Sequence, residues 1–310
     1  MLVSVVIPTY NRLPILKKCL LSLENQSIKS PSFEYEVIVV DDGSTDGTSE
    51  WLHKNKDLLP HVILIEQKHG GPAIGRNKGV NKSKGEVIVF IDSDLVVESN
   101  FLSNHIKSLS NYWNKYNNKF CFTYGTVINT VNFNNPTSER YKLKDISWAY
   151  FATGNVAIDK NILLKSGLFD PDFCLYGWED LELGERLRKM GVILLKCPKA
   201  VGYHWHPAFT LDQIPNLIRV EKERAKMGLV FYNKHPTLRV RFIIQYTILH
   251  RILWETLTVF GFLNEKRLKP LLRFLINRGY YHLALELLRV PLNLIAVRQI
   301  YKEAHLARRT

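Results

Sequence analysis

The sequence predicts an α/β protein in which a mostly parallel sheet is flanked by helices and followed by a helical extension. Three observations carry that expectation. Short β-branched runs alternate with helix-forming stretches through the first part of the chain, these runs close on polar residues, and the composition changes near Leu211. Strand alternating with helix argues for a parallel sheet covered on both faces. Ligands of such sheets bind beyond the carboxyl ends of the strands.

The expected strands of the first half are residues 3–7, 35–40, 62–65 and 87–91, each short, β-branched and bounded by turn residues. Residues 14–24, 48–56 and 73–82 between them are expected to be helices. The first strand leads into Pro8-Thr9-Tyr10-Asn11-Arg12 and the second into Asp41-Asp42-Gly43-Ser44-Thr45-Asp46-Gly47. The fourth leads into Asp92-Ser93-Asp94. All three ends are polar and two are acidic, so this edge is read as a site. Residues 118–148 are Asn-rich and aromatic, with one strand expected at 120–128 and a mobile loop at 132–139. A strand is expected at 154–158 and a helix at 178–190. Two apolar runs follow at 192–195 and 200–203, the second closing on His204-Trp205-His206.

The extension holds most of the net charge of +13: residues 211–310 contain 18 Lys and Arg against 7 Asp and Glu. It reads as several helices, such as 242–262 and 283–301. Its longest uncharged stretches, 242–250 and 256–264, fall far short of the ~20 apolar residues of a membrane span. No transmembrane helix is expected. Basic residues alternating with large apolar ones suit an anionic membrane surface, and a homodimer interface or a core extension is the plainer use. The expected organisation is a catalytic domain at 1–210, with a donor half at 1–115 and an acceptor half at 116–210, then the extension at 211–310.

Composition removes several classes. With 46% hydrophobic and 23% charged residues the chain is globular, not disordered. Cys19, Cys121, Cys174 and Cys197 are scattered without a C-x-x-C pair, so neither a cysteine zinc site nor a disulfide framework is expected. The N-terminus lacks a basic n-region and reads as a first strand, so a cytoplasmic location is expected, peripheral on a membrane if the extension binds lipid.

The chemistry sits at the strand ends. Asp92 and Asp94, two residues apart beyond a buried strand, offer oxygen ligands to a hard cation such as Mg2+ or Mn2+ shared with substrate phosphates. The structural alternative is a solvated turn. Asp41 follows a parallel strand and could accept from a base or ribose, while Ser44 or Asp46 could simply cap a helix. In Gly70-Gly71-Pro72-Ala73-Ile74-Gly75-Arg76-Asn77 the backbone can approach a ligand and Arg76 can meet phosphate. This stretch does not match G-x-G-x-x-G, which counts against a dinucleotide oxidoreductase. On the helix at 178–190, Leu183, Leu187 and Met190 share an apolar face. Glu182 with Arg186 and Glu185 with Lys189 are expected as surface pairs. Glu179 and Asp180 have no basic residue at i+3 or i+4 and lie in the first turn, where the helix dipole favours the ionised form. Such a carboxylate can act as a general base, against a capping role. Of His204 and His206, one imidazole is expected to face the cleft if the strand persists and both if it bends, against an ordinary strand-end role.

Taken together these pieces resemble the family 2 glycosyltransferases of the GT-A fold, a Rossmann-like type. The resemblance rests on Val5–Arg12, Val39–Asp46, Gly75-Arg76-Asn77 and Asp92-Ser93-Asp94 within roughly the first 100 residues. Residues 152–206, with Gly154-Asn155 and Gly177-Trp178-Glu179-Asp180, look like the acceptor half of galactosyltransferase-type members. The resemblance implies a metal-dependent, inverting hexosyltransferase that uses a nucleotide sugar, UDP-hexose or UDP-N-acetylhexosamine, and a glycan or lipid-linked saccharide acceptor. It implies that Thr9 and Tyr10 flank the nucleobase, that Asp41 binds uracil, and that Arg76 contacts ribose or phosphates. Pro8, Asn11, Arg12, Gly75, Asp92 and Ser93 are donor-binding by the same reasoning. Asp94, then Asp92, would hold Mn2+ or Mg2+ with His204, and His206 as its rival. Asp180 would deprotonate the acceptor, with Gly154, Asn155, Trp178 and Glu179 binding it. A Q-x-x-R-W motif is not found, which favours transfer of single sugars over a processive synthase. Two other classes stand beside this one: a nucleotide-sugar binder without activity, and a nucleic-acid binder working through the basic extension. Acidic strand ends repel phosphate and no nucleic-acid motif is visible, so nucleic acid is not an expected partner.

Overall fold

The computed structural model describes residues 1–28, 33–139 and 150–306. The chain divides into two compact units, one formed by 1–174 with 179–206 and the other by 175–178 with 207–310. Of the Asn-rich stretch 118–148, residues 140–148 lie outside the described residues.

The first unit runs β1 (Leu2–Thr9), α1 (Leu13–Glu24), β2 (Glu34–Asp41), α2 (Thr48–Lys54), β3 (Val62–Glu66), α3 (Pro72–Lys82) and β4 (Val87–Ile91). It continues through β5 (Leu95–Val97), α4 (Phe101–Tyr116), β6 (Cys121–Thr130), β7 (Asn155–Asp159), α5 (Lys160–Ser166), α6 (Glu179–Lys189) and β8 (Ile193–Trp205). Among the described residues these strands form one eight-stranded sheet in the order β3-β2-β1-β4-β7-β6-β8-β5. The strands β1 to β4 are mutually parallel. β7 runs against both β4 and β6, β8 runs with β6, and β5 closes the edge against β8.

The period of two explains why both faces are covered. Val3, Val5 and Ile7 point into a core completed by Leu16, Leu20 and Leu23 of α1 and Phe101, Ile106 and Leu109 of α4. Val6, Ile88 and Phe90 point the other way, onto Val80 of α3, Ile162 and Leu163 of α5, and Leu183 and Leu187 of α6. Strands buried on both faces read as unbroken apolar runs, which is why they were visible in the sequence. Helix α3 comes close to the sheet at Gly79, where a Cβ would lie 2.4 Å from Val6 Cγ1.

Three elements differ from expectation. The runs at 192–195 and 200–203 belong to the single strand β8, whose pairing with β6 jumps from Gly125↔Cys197 to Thr126↔Val201. The residues between them, including Pro198, form a bulge, the place in a sheet where a residue without an N–H is tolerated. Helix α4 and strand β5 fill 95–116, where no element was expected. The loop at 132–139 contains a 3-10 turn at Pro136–Ser138.

The second unit holds α7 (Ile214–Lys234), α8 (Leu238–Ile243), α9 (Ile248–Leu257), α10 (Glu265–Asn277) and α11 (Tyr281–Leu306). Phe209, Ile214, Leu272, Leu275, Ala284, Leu288 and Leu292 form a core of its own. The helix expected at 242–262 is two helices. Thr247 caps α9 by accepting the His250 N–H, and α9 stops before Val259 and Phe260, both left-handed at φ 50° and 55°. Among the described residues no helix is long and apolar enough to cross a membrane.

Candidate active site

The loops after β1 and β2 are tied together. Asn11, left-handed at φ 52°, accepts the Thr45 N–H on its Oδ1 at 2.7 Å, and its own N–H donates to Ser44 Oγ at 2.9 Å. Asp41 accepts the Ser44 N–H at 3.0 Å. The buried Asp42 carboxylate accepts the N–H groups of Gly70 and Gly71 at 2.8 and 2.9 Å, drawing the glycine loop against β2. Tyr10 is exposed and stacks on His69 with 4.3 Å between ring centroids. Thr9 Oγ1 is buried with no hydrogen-bond partner among the described residues. Pro8 faces Gly75, where a Cβ would lie 3.3 Å from the proline. Gly75 is therefore a packing contact between α3 and the sheet.

The turn after β4 carries Asp92, buried Ser93 and Asp94. Backbone pairing delivers the histidines to it: Leu95 pairs with His204, and the Trp205 N–H donates to Asp94 O at 3.0 Å. Asp94 is 4% exposed. Its Oδ1 lies 2.8 Å from His204 Nε2, and its Oδ2 meets the Arg12 guanidinium. The His204 and His206 rings stand 4.1 Å apart. One ligand atom from each of Asp94, His204 and His206 lies within 4.8 Å of the others. His204 lies in β8 and His206 just past its last residue, Trp205, and both imidazoles come to Asp94, the outcome expected where the strand does not persist.

Neighbouring charges and burial set the protonation of this cluster. Burial alone would raise the Asp94 carboxyl, but its hydrogen bond to His204 and the charges of His204 and Arg12 hold it below the usual range. Burial opposes charging His204, and Asp94 with Asp92 overcomes it and raises its pKa. Burial and the neighbouring His204 push His206 down to about 4, so it is a neutral imidazole with a lone pair to offer. One carboxylate oxygen and two imidazole nitrogens make a donor set that fits a divalent transition metal. Asp92 lies outside this group, since its carboxylate takes Arg76 Nη2 at 3.3 Å.

Arg76 is the link to the second cluster. It is buried, pairs with Glu179 Oε1 at 2.9 Å as well as with Asp92, and leaves its Nε without a partner among the described residues. Asp180, the next residue of α6, accepts the Leu181 N–H at 2.8 Å. Burial, then the charge of Glu179, pushes the Asp180 carboxyl up to about 7 against the pull of Arg76. The charge of Asp92 acts on Asp180 and on His204 alike, so the two clusters share one electrostatic neighbourhood. Arg76, expected on ribose or phosphate, is engaged with carboxylates instead.

The acceptor-side residues divide. A Cβ on Gly154 would lie 3.2 Å from Asp92 Oδ2, so the glycine leaves that carboxylate its place. Asn155 is fully buried, and its Nδ2 donates to the carbonyls of Thr126 and Ala200 while its Oδ1 accepts from His105 Nε2 at 2.8 Å. That side chain is spent on bracing the β8 bulge, which corrects its expected contact with an acceptor. Trp178 belongs to the second unit, where its indole N–H donates to the Arg224 carbonyl at 2.7 Å under the Arg224 guanidinium. Glu182 and Glu185 are buried, not on the surface, and take Arg186 and Arg188. His69 and Asp42 were not among the expected site residues. They sit in loops without periodicity, and only the fold brings them to Tyr10 and the glycine turn.

The family model described as Glycosyl transferase family 2 matches residues 4–167. The chain belongs to glycosyl transferase family 2. That span includes the strand ends, Arg76 and the Asp92–Asp94 turn of this family member, while α6 and the histidine strand lie beyond it. The chain is 29% identical over 241 residues to the chondroitin synthase of Escherichia coli, an alignment covering 66% of this chain and 34% of that protein. It spans no more than 65% of the length of the first curated relatives it matches. A mannosyltransferase, PcManGT from Pyrobaculum calidifontis in complex with GDP-Man and Mn2+, superposes with a TM-score of 0.63 at 19% identity, covering 96% of this chain and 85% of that one. S. aureus TarS 1–349 in complex with UDP-GlcNAc superposes with a TM-score of 0.51 at 18% identity, covering 98% and 92%. At these identities the likeness establishes the fold, a GT-A type.

Proposed function

We propose that this family 2 member transfers a single hexose or N-acetylhexosamine from a UDP-sugar to a hydroxyl of a glycan or lipid-linked saccharide, in polysaccharide or glycolipid biosynthesis, with inversion at the anomeric carbon. One observation carries the reading: Arg76 ties Glu179, the neighbour of Asp180, to Asp92, which stands two residues before the Asp94–His204–His206 cluster. A base and a cation site thus belong to the same sheet edge. The organisation goes with it, a catalytic domain at 1–210 and an extension at 211–310 in the cytoplasm.

Asp94, His204 and His206 would hold the metal, and two imidazoles beside one carboxylate favour Mn2+ over Mg2+, which prefers oxygen. When bound, the ion neutralises charge building on the leaving diphosphate. Thr9, Tyr10 stacked on His69, and Asp41 form the place for the base, with Pro8, Asn11, Arg12 and Ser93 around the rest of the donor. Gly154 and Glu179 line the acceptor side. The acceptor oxygen bonds to the anomeric carbon, the bond from that carbon to the β-phosphate oxygen breaks with its electrons leaving on UDP, and the acceptor proton passes to the Asp180 carboxylate. A carboxyl titrating near 7 suits a base at neutral pH.

The test is turnover of a UDP-sugar panel with Mn2+ on saccharide acceptors, repeated with Asp94→Ala and Asp180→Asn. Both variants should lose activity, and undiminished turnover in either removes that residue's role. UDP binding without turnover on any acceptor would leave a sugar-nucleotide binder. Because the mannosyltransferase neighbour carries GDP-Man, GDP-sugars belong in the same panel. Since one relative is a chondroitin synthase, product length decides processivity: one added residue supports single transfer, and a ladder of long products refutes it.

A further inference from the structure

Helix α9 is turned inside out. Arg251, Trp254, Glu255 and Thr258 recur at i, i+3, i+4 and i+7, the spacing of one helix face, and this polar and aromatic stripe makes the contacts within the unit. Arg251 lies over the Tyr301 ring, Trp254 donates to Gln245, Glu255 takes Arg298 at 2.6 Å, and Thr258 is fully buried. The opposite face carries Ile248, Leu249, Ile252, Leu253 and Leu257, all exposed, with Ile248 at 69%. No residue of α9 itself is buried. An amphipathic helix of a water-soluble domain puts its aliphatic stripe inward.

The segment beyond α9 continues the pattern. Val259 and Phe260 sit at φ 50° and 55°, a costly conformation for a β-branched or aromatic residue, in a turn that leaves Phe260 77% exposed. Phe262 is exposed as well, with the Arg267 guanidinium over its ring. Residues 238–281 hold eight Lys and Arg against two Asp and Glu, and one of those two, Glu255, is already paired with Arg298.

We propose that the outer face of α9, with the turn at 259–262, seats on an anionic lipid bilayer surface, its aliphatic side chains in the acyl boundary and the flanking cations at the headgroups. The charge selects this occupant. A second copy docked on this segment by a two-fold axis would bring together two segments that each carry eight cations against two acids, whereas an anionic leaflet complements them. A soluble polyanion would satisfy the cations and leave the aliphatic stripe in water. No described helix is long and apolar enough to span, so α9 lies in the plane of the interface.

The experiment is flotation of the full chain with phosphatidylcholine vesicles and with equimolar phosphatidylcholine–phosphatidylglycerol vesicles. Flotation with the anionic vesicles is expected, at least about tenfold weaker with neutral ones, and weakened by salt. The Ile252→Glu/Leu253→Glu double variant, at two solvent-facing positions, should float at least about tenfold less. Phe260→Ser, in the turn, should also weaken flotation and serves where the double variant fails to fold by circular dichroism. Flotation equal on both vesicle types, absent on both, or unchanged in a folded variant overturns the proposal. So does a dimer in sedimentation that the double variant dissociates, since the occupant would then be a second copy.

Discussion

The Asp180 carboxyl titrates near 7 because burial and the Glu179 charge outweigh Arg76. Activity should therefore rise with pH through about 7 as the base loses its proton, and Asp180→Asn should lower kcat by about 10²–10⁴-fold and remove that limb of the profile. The same shift has a sign for stability. An ordinary aspartate titrates near ~3.9, so between there and about 7 the folded chain binds the extra proton and stability falls as pH rises through that window. Asp180→Asn should flatten this slope and melt higher than the wild type above pH 7 while inactive, as measured by thermal scans across pH. At the cation cluster, His204→Ala and His206→Ala should each weaken Mn2+ binding at least about tenfold, read by calorimetry. An effect confined to one histidine would restore the rivalry between them. The residue types at the site were legible in the sequence because acidic and polar residues close apolar runs. Their partners were not, since Arg76 reaches Glu179 across 103 positions of chain. Asn155 shows the same limit: nothing local distinguishes an amide facing a ligand from one bracing a bulge.

Helix α3 sets where Arg76 lies, and its depth depends on Gly79. Gly79→Ala would force a Cβ to within 2.4 Å of Val6. It should cost about 1–3 kcal/mol by overpacking and reduce activity beyond that loss by lifting Arg76 from Asp92 and Glu179, checked by denaturant unfolding beside turnover. The β8 bulge sets where the histidines lie. Asn155 is held in it by His105, which burial keeps neutral with a pKa of about 4, and His105 in turn meets Thr123. The parallel strands could be read because burial on both faces demands continuous β-branched runs. Helix α4 was missed although Phe101, Leu102, His105, Ile106 and Leu109 recur as its buried stripe, because a polar outer face dilutes them. β8 was split in two because Pro198 signals a break, and only pairing with β6 reveals that the strand resumes. In the extension the apolar period announced helices, but an aliphatic stripe facing outward on α9 is a tertiary fact that periodicity cannot distinguish from a core face.

For the molecule as a whole, a donor that binds only the folded state should raise its apparent stability by about 2.7 kcal/mol at a hundred times its Kd. UDP should shift the melting temperature more with Mn2+ than without it. Positive coupling between two ligands is reciprocal, so Mn2+ should also bind more tightly when UDP is present. That coupling is where the convergence of distant carboxylates and imidazoles becomes measurable. The direct measurement is calorimetric titration of Mn2+ with and without UDP on the wild type, Asp94→Ala and Asp180→Asn. Convergence on one cation and one diphosphate predicts mutual tightening in the wild type and in Asp180→Asn, and its loss in Asp94→Ala. Mn2+ binding unchanged by Asp94→Ala, or indifferent to UDP in the wild type, would contradict it.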